Sequence, residues 1–378
     1  MTTLSEDERL FRDSVYEFAD REVRPLVREM DEHAKIADGL VAKLFDLGVM
    51  AIEIPEAFGG AGASFFHAVL AVEALSRVDP SVGVLVDVQN TLVINALLRW
   101  GTEAIKQRYL PKLASDTIGA YALSEAGSGS DAFAMTTRAT ERDNGDWSIT
   151  GRKVFITNAN EAGLFIVFAT ADPGGGYRGI TAFLVERGTP GFSVTRVDTT
   201  IGSEAIKLAE LTIDNCFLPD SAVLGEVGQG FRIAMESLTN GRLGVSCSCL
   251  GTADRLIEMS AAYAKERVTF GQPLSERQAI QWMLADSATE LAMARAYTYE
   301  TLRRVAAGED VGTAASMCKL YCSEMVGRVA DRAVQIHGGM GLVRGYPVER
   351  FYRDVRHYRV GEGSSEIQRM LIARDLLR

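Results

Sequence analysis

The sequence predicts an α+β multidomain fold: an N-terminal helical domain over residues 1–117, a central antiparallel β domain over 118–224 and a C-terminal four-helix bundle over 225–378. Three observations carry this reading. Apolar residues recur at helical spacing through the first part, short β-rich runs bounded by turn residues fill the second, and long helical stretches return after Gly228. The length of 378 residues suits two or three domains, since single cores rarely grow past a few hundred residues.

Each element has a local reason. Ser5 and Glu8 form a capping box, and Phe11, Val15 and Phe18 follow at helical spacing. Further helices are expected near 40–49, 64–77, 80–98 and 103–115, the third opened by Asp79 as N-cap with Pro80 at the first helical position. Strand-like runs then start at Gly119, Trp147, Leu164, Ile180 and Phe192, with a hairpin turn at Asn144 and Gly145. Helices are expected over about 228–265, 275–307 and 312–337, with a shorter one after Ser364; Ile280, Met283, Leu284 and Leu291 mark one apolar face. Gly244, Ser246, Cys247, Ser248, Cys249 and Gly251 make a small-residue stripe on the first of these, suited to close approach of a backbone or a flat ligand.

A hydrophobic fraction of 47% and a charged fraction of 24% are those of an ordinary globular protein. The formal charge of -10 argues against nucleic acid as the principal partner, because phosphate binding draws on clustered Lys and Arg. No stretch of about twenty apolar residues reads as a membrane span, and the acidic start (Ser5, Glu6, Asp7, Glu8) is unlike a signal peptide. The expected location is cytoplasmic. The five cysteines and the four histidines (His33, His67, His337, His357) complete no metal-ligand spacing, so no metal site is expected.

Two glycine-rich segments compete for attention. Gly174, Gly176 and Gly179 match G-x-G-x-x-G, but strand-like runs flank them on both sides. A phosphate-binding loop needs a helix N-terminus behind it, so a surface hairpin fits better than a nicotinamide site. The second segment, from Tyr121 to Asp131, leaves a strand and offers flexible backbone beside hydroxyls and two carboxylates. By composition it is equally an ordinary turn or a cradle for an anionic cofactor. Phe155 and Thr157 lie two residues apart on the next strand and so share a face, where one can stack on a ring and the other bond its edge.

Five motifs in this order resemble the acyl-CoA dehydrogenase family over essentially the whole chain. They are Ala122 to Asp131, Val154 to Asn158, Arg267 to Gly271 with Gln278, Gln335 to Gly341, and Arg353–Asp354 followed by Gly361 to Arg369. The resemblance implies FAD, with Tyr121, Leu123, Ser124, Gly129 and Ser130 lining it from the loop and Phe155 and Thr157 facing the isoalloxazine. Ser364 and Glu366 would touch the cofactor's other end. Arg267, Phe270, Gln278, Gln335 and Gly339 would contact FAD in a partner subunit, which implies a homo-oligomer, dimer or tetramer.

The implied reaction takes hydrogens from Cα and Cβ of an acyl thioester, which needs a base for the α-proton and an acceptor for the β-hydride. The resemblance assigns the base to Glu362, between Gly361 and Gly363 and just before an expected Ser365/Gln368 capping box; by spacing alone it is more often a solvated loop carboxylate. Some relatives place the base beside Arg242, but Gly241 stands there; Arg242 resembles a helper arginine. The Glu362 backbone N–H and a flavin ribityl hydroxyl are the implied donors to the thioester carbonyl. Two positions depart from the family pattern: Gly361, often tyrosine, and Ile206–Lys207–Leu208, often Ser-x-Thr. The runs Val84 to Leu92 and Gly241 to Gly244 look most like short-chain members, which favours a short acyl-CoA and an electron-transfer flavoprotein as acceptor. Acyl groups on a carrier protein, a flavin oxidase or monooxygenase, and a non-catalytic assembly protein are the alternatives.

Overall fold

Caps written into the sequence start the N-terminal helices in a computed structural model that describes residues 4–378. The Ser5 hydroxyl accepts from the Glu8 N–H at 3.2 Å while the Glu8 carboxylate accepts from the Ser5 N–H at 2.8 Å, opening α1 (Glu6–Phe18). Helices α2 (Val27–His33), α3 (Leu40–Asp46) and α4 (Phe65–Ser76) follow. The Asp79 carboxylate accepts from the Val82 N–H at 2.9 Å and starts α5 (Pro80–Asp87). The helix expected over 80–98 is not uniform: its turns widen to π geometry over Val88–Ile94 before α6 (Asn95–Trp100), and α7 (Glu103–Ser115) completes the domain.

That π segment carries buried amide side chains outward to neighbouring backbone. Asn90 Nδ2 donates to Val49 O at 2.9 Å, while Gln89 donates to Leu113 O at 3.2 Å and accepts from the Gly119 N–H at 2.7 Å. The helix core is thereby pinned to the first strand. The run Pro80–Trp100 is apolar and long enough to cross a membrane, contrary to the sequence expectation, but 89% of its apolar window is buried inside the protein. Its hydropathy serves the core.

The central sheet orders its strands β6 (Phe192–Asp198), β7 (Leu208–Leu218), β3 (Trp147–Ile156), β2 (Arg138–Glu141), β4 (Leu164–Thr170), β5 (Ile180–Glu186) and β8 (Val223–Leu224), with β1 (Gly119–Ala122) also paired to β4. The pairing is antiparallel except where β1 and β2 run parallel to β4. Gly145 takes φ +82° in the β2–β3 turn, and Arg142 N donates to Asp146 O at 2.8 Å. Gly174 to Gly179 form a 3₁₀ turn between β4 and β5 that leads into a strand, so no helix N-terminus aims at it. The Asp172 carboxylate takes the Gly174 N–H itself at 2.9 Å.

The chain returns to helix in α8 (Gly230–Glu266), crosses a hairpin of β9 (Val268–Thr269) and β10 (Gln272–Pro273), and continues as α9 (Gln278–Ala306), α10 (Gly312–His337), α11 (Pro347–Asp354) and α12 (Ser365–Leu376). The small-residue stripe admits a backbone: a Cβ on Gly251 would overlap the Glu73 carbonyl oxygen, so α4 lies directly against α8. Arg350 joins all three parts of the molecule. Its guanidinium bonds Asp79 at 2.7 Å and Asp354 at 3.2 Å, and Asp354 accepts from the Ser203 N–H of the β domain at 2.6 Å. All four residues are buried. Arg350→Met therefore strands two buried carboxylates, and urea unfolding is expected to show a loss of about 3–5 kcal/mol; an unchanged midpoint would remove this cluster as the latch between domains.

Candidate active site

Two glycines one turn apart on α8 carry two carboxyl groups. A Cβ on Gly241 would overlap Glu362 Oε2, and a Cβ on Gly244 would overlap Asp87 Oδ1. The carboxyls thus stand on steps i and i+3 of one helix face, which places those steps about 5–6 Å apart. Only a residue without a side chain lets each of them reach the α8 backbone.

Glu362 follows a 3₁₀ turn over Val355–Arg359 and takes φ +55°, with Gly363 at +94°. Such a conformation in a glutamate is strained and needs external support. Donors on three helices supply it. Lys319 Nζ of α10 bonds Gly363 O at 2.7 Å, Gln368 Nε2 of α12 bonds Gly363 O at 2.9 Å and Glu362 O at 3.2 Å, and Arg242 Nε of α8 lies 3.5 Å from Glu362 O. The α12 cap is Ser364, which accepts from the Ile367 N–H at 3.4 Å, rather than the expected Ser365, whose hydroxyl turns away to Glu324 at 2.8 Å.

The side chain of Glu362 is treated oppositely. The residue is partly exposed, yet its Oε2 is enclosed and has no hydrogen-bond partner among the described residues. Desolvation raises its pKa to about 7, while the Lys319 and Arg242 cations oppose the rise. Asp87 had drawn no attention as a site residue; a lone carboxylate in an otherwise apolar helix was the available signal. Its carboxyl takes the Thr91 hydroxyl at 2.9 Å, and desolvation together with the Glu362 charge pushes its pKa well up.

A second assembly shapes the loop after β1. Glu125 accepts from the N–H and hydroxyl groups of Thr136 and Thr137 at 2.6 to 3.0 Å and pairs with the buried Lys153 at 2.9 Å. Lys153 also bonds Leu123 O at 3.0 Å, and Val154 N donates to Ser124 O at 2.9 Å, which fastens the loop to the end of β3. The Lys153 cation and the threonine donors outweigh burial and hold Glu125 down to about 2, while burial lowers Lys153 to about 8. Ser124, Gly129 and Ser130 come to the surface beside Phe155, an aromatic exposed at φ +58°, and the partly buried Thr157; Leu123 is buried. Tyr121 is buried, tilted on Phe168 at 5.0 Å with its hydroxyl 3.5 Å from Ala234 O, and the Glu362 charge reaches it. Ser364 caps α12 and Glu366 sits in its first turn, next to Glu362 in sequence.

The remaining predicted cofactor residues lie elsewhere. Arg267 and Phe270 are on the hairpin after α8, Gln278 begins α9, and Gln335 and Gly339 end α10; all are exposed. Tyr263 stacks on His337 at 4.4 Å and fixes these ends together. The end of α8 at Glu266 is 25 residues past Gly241, roughly 38 Å at the helical rise. A single chain does not unite the two sets. Of the departures from the family pattern, Gly361 has open space, with His357 O at 3.8 Å from its would-be Cβ, whereas Ile206 is buried and Leu208 begins β7.

Comparison with known proteins decides the family. Models of the acyl-CoA dehydrogenase N-terminal, middle and C-terminal domains match residues 5–117, 120–216 and 228–377. This chain belongs to the acyl-CoA dehydrogenase family. A probable short/branched chain specific acyl-CoA dehydrogenase of Dictyostelium discoideum is 41% identical over 378 residues, covering 100% of this chain and 92% of the relative. Butyryl-CoA dehydrogenase from Megasphaera elsdenii superposes with a TM-score of 0.97 at 34% identity, covering 100% of both chains. A chain from a structure of the electron transferring flavoprotein of Acidaminococcus fermentans does so with a TM-score of 0.97 at 36% identity, again over 100% of both.

Acyl-CoA dehydrogenases are FAD-dependent oxidoreductases acting on CH–CH bonds. The residues present fit that cofactor: Phe155 is an exposed aromatic at φ +58° next to Val154, which bonds the clamped loop at Ser124 O, and the enclosed Glu362 Oε2 has no hydrogen-bond partner among the described residues. In this acyl-CoA dehydrogenase the Gly241 step is open to a direct check. Gly241→Ala pushes the Glu362 carboxylate off α8, and a misplacement on the order of 1 Å lowers turnover by about 10²-fold. Flavin content and melting temperature are expected to hold; full activity in this variant would show that the step does not set the base.

Proposed function

We propose that this chain is a short-chain acyl-CoA α,β-dehydrogenase whose base is Glu362. The observation that carries the reading is the enclosed, unpartnered carboxylate on Gly241, with its pKa raised to about 7. A base so tuned is about half ionised at neutral pH and accepts a proton from the mildly acidic α-carbon of a thioester more readily than an ordinary carboxylate. Bound FAD supplies the acceptor for the hydrogen that leaves the β-carbon.

The protein's own groups divide the remaining tasks. The Glu362 N–H finds no acceptor within the described chain and is available to the thioester carbonyl, where it stabilises the developing enolate. Arg242, buried with its guanidinium beside the base turn, supplies the neighbouring positive charge. A groove of about 540 Å³ runs between the first half of α8, the start of α10 and the end of α12 and reaches Arg242. Arg232, Arg374 and Arg378 line it together with the carboxylates of Glu236, Asp310 and Asp375, a mixed polar rim for a pantetheine thioester, while Phe231 and Met235 offer apolar surface.

The short-chain preference follows the relatives, among them the short/branched-chain and butyryl-CoA enzymes. We further infer a cytoplasmic homo-oligomer, dimer or tetramer, passing electrons to an electron-transfer flavoprotein. In it Arg267, Phe270, Gln278, Gln335 and Gly339 of one copy complete the cofactor site of another; the 98% exposure of Phe270 and the separation of these residues from Glu362 support that arrangement.

Anaerobic flavin bleaching against a panel of acyl-CoA and carrier-bound acyl groups tests the substrate, with short acyl-CoA expected to act fastest. Glu362→Gln, with FAD bound, is expected to slow bleaching by about 10²–10⁴-fold; wild-type rates would end the assignment. Because the base must be ionised, kcat/KM of the free enzyme is expected to rise as pH rises through about 7. Arg267→Ala is expected to lower FAD affinity, and unchanged cofactor content would remove it from the site.

A further inference from the structure

Lys319 and Glu324 are the charged side chains on α10 between Gly312 and Val326, and of the two only Lys319 is fully buried. Ala314, Ala315, Cys318, Cys322, Met325 and Val326 surround it in sequence and are all buried, and Lys319 itself is 0% exposed. Burying an ammonium is costly unless it is compensated, and a methionine would fill such a place without that cost. What Lys319 receives in return is a hydrogen bond to Gly363 O at 2.7 Å, on the residue after Glu362.

Resting on the reading of Glu362 as base, we propose that Lys319 is a positioning residue for the dehydrogenation: its ammonium holds the base-bearing turn in its left-handed conformation and sets a fixed positive charge beneath the base. Two separable effects follow. The hydrogen bond maintains φ +55° at Glu362 and +94° at Gly363, which keeps the carboxylate over Gly241. The charge favours the ionised carboxylate and opposes the desolvation that raises its pKa, just as the Glu362 charge opposes the fall of Lys319 to about 8.

Other charges face this pair from every side. Arg242 on α8 adds a second cation, Asp87 at the end of α5 a carboxyl whose pKa burial raises, and Tyr121 on β1 a phenol raised well above its ordinary value. Glu324, one turn along α10, is held by Arg359 at 3.6 Å and by the Ser365 hydroxyl. Cys249 on α8 is a neutral thiol and His357 a neutral imidazole. Arg242 and Lys319 are therefore the cations that keep Glu362 titrating near neutrality, and Lys319 alone also bonds the turn's Gly363 carbonyl.

Two variants of the FAD-loaded enzyme separate the effects. Lys319→Met removes both donor and charge; Lys319→Gln keeps a donor and removes only the charge. Lys319→Met is expected to slow anaerobic bleaching by about 10²-fold, and Lys319→Gln to recover most of that loss at high pH. Both are expected to move the acidic limb of kcat/KM to higher pH, by about one unit or more, since removing a cation raises a carboxyl pKa. A merely structural lysine would change stability and leave the limb in place. The proposal is overturned if the limb of Lys319→Gln coincides with that of wild type, and this arm decides the matter even where Lys319→Met fails to fold. Glu362→Gln run alongside keeps the two readings apart: wild-type bleaching in that control defeats the base assignment, whereas an unmoved limb in the lysine variant defeats only the present one.

Discussion

A carboxylate enclosed among helices with no hydrogen bond of its own is an expense that the rest of the fold is arranged to sustain. Glu362 Oε2 has no hydrogen-bond partner among the described residues, and a strong donor there would lower the carboxyl pKa. Support is instead given to its backbone, through Gly363 O and Glu362 O, by donors on three helices. Its position is set by an absence of side chain at Gly241. Strain, desolvation and nearby charge are thus balanced around one residue, and its titration near 7 is the outcome.

The domain contacts serve the same end. The Glu362 turn stands between α11 and α12, and Arg350 ties α11 to Asp79 of the N-terminal helices while Asp354 reaches Ser203 in the loop between β6 and β7. Gly251 lets α4 lie on α8, and the buried amides of the π segment lock the helix core to β1, from which the cofactor loop leaves. The Glu125–Lys153 pair then shapes that loop from beneath, leaving its small residues at the surface.

The order of helices and strands was legible because it rests on local causes: capping residues at Ser5 and Asp79, the turn at Gly145, and the spacing of apolar residues. Local signals were least reliable where tertiary contacts intervened. The apolar run through Val88–Ile94 was readable as helix, but its widened turns answer to hydrogen bonds from Gln89 and Asn90 to segments distant in sequence. Ser365 offered a plausible cap until Glu324 claimed its hydroxyl and Ser364 took over.

The same division runs through the site. The sequence by itself determined the family resemblance, the cofactor class and the choice of Glu362, because short contiguous motifs and the glycine at 241 are readable in one dimension. Only the tertiary structure decided that Asp87, Lys319 and Lys153 belong around the site, since each acquires meaning from a partner tens to hundreds of residues away. It alone also decided that Arg267 and Phe270 stand far along α8 from Glu362, because distance through space is a property of the folded helix and not of the motif.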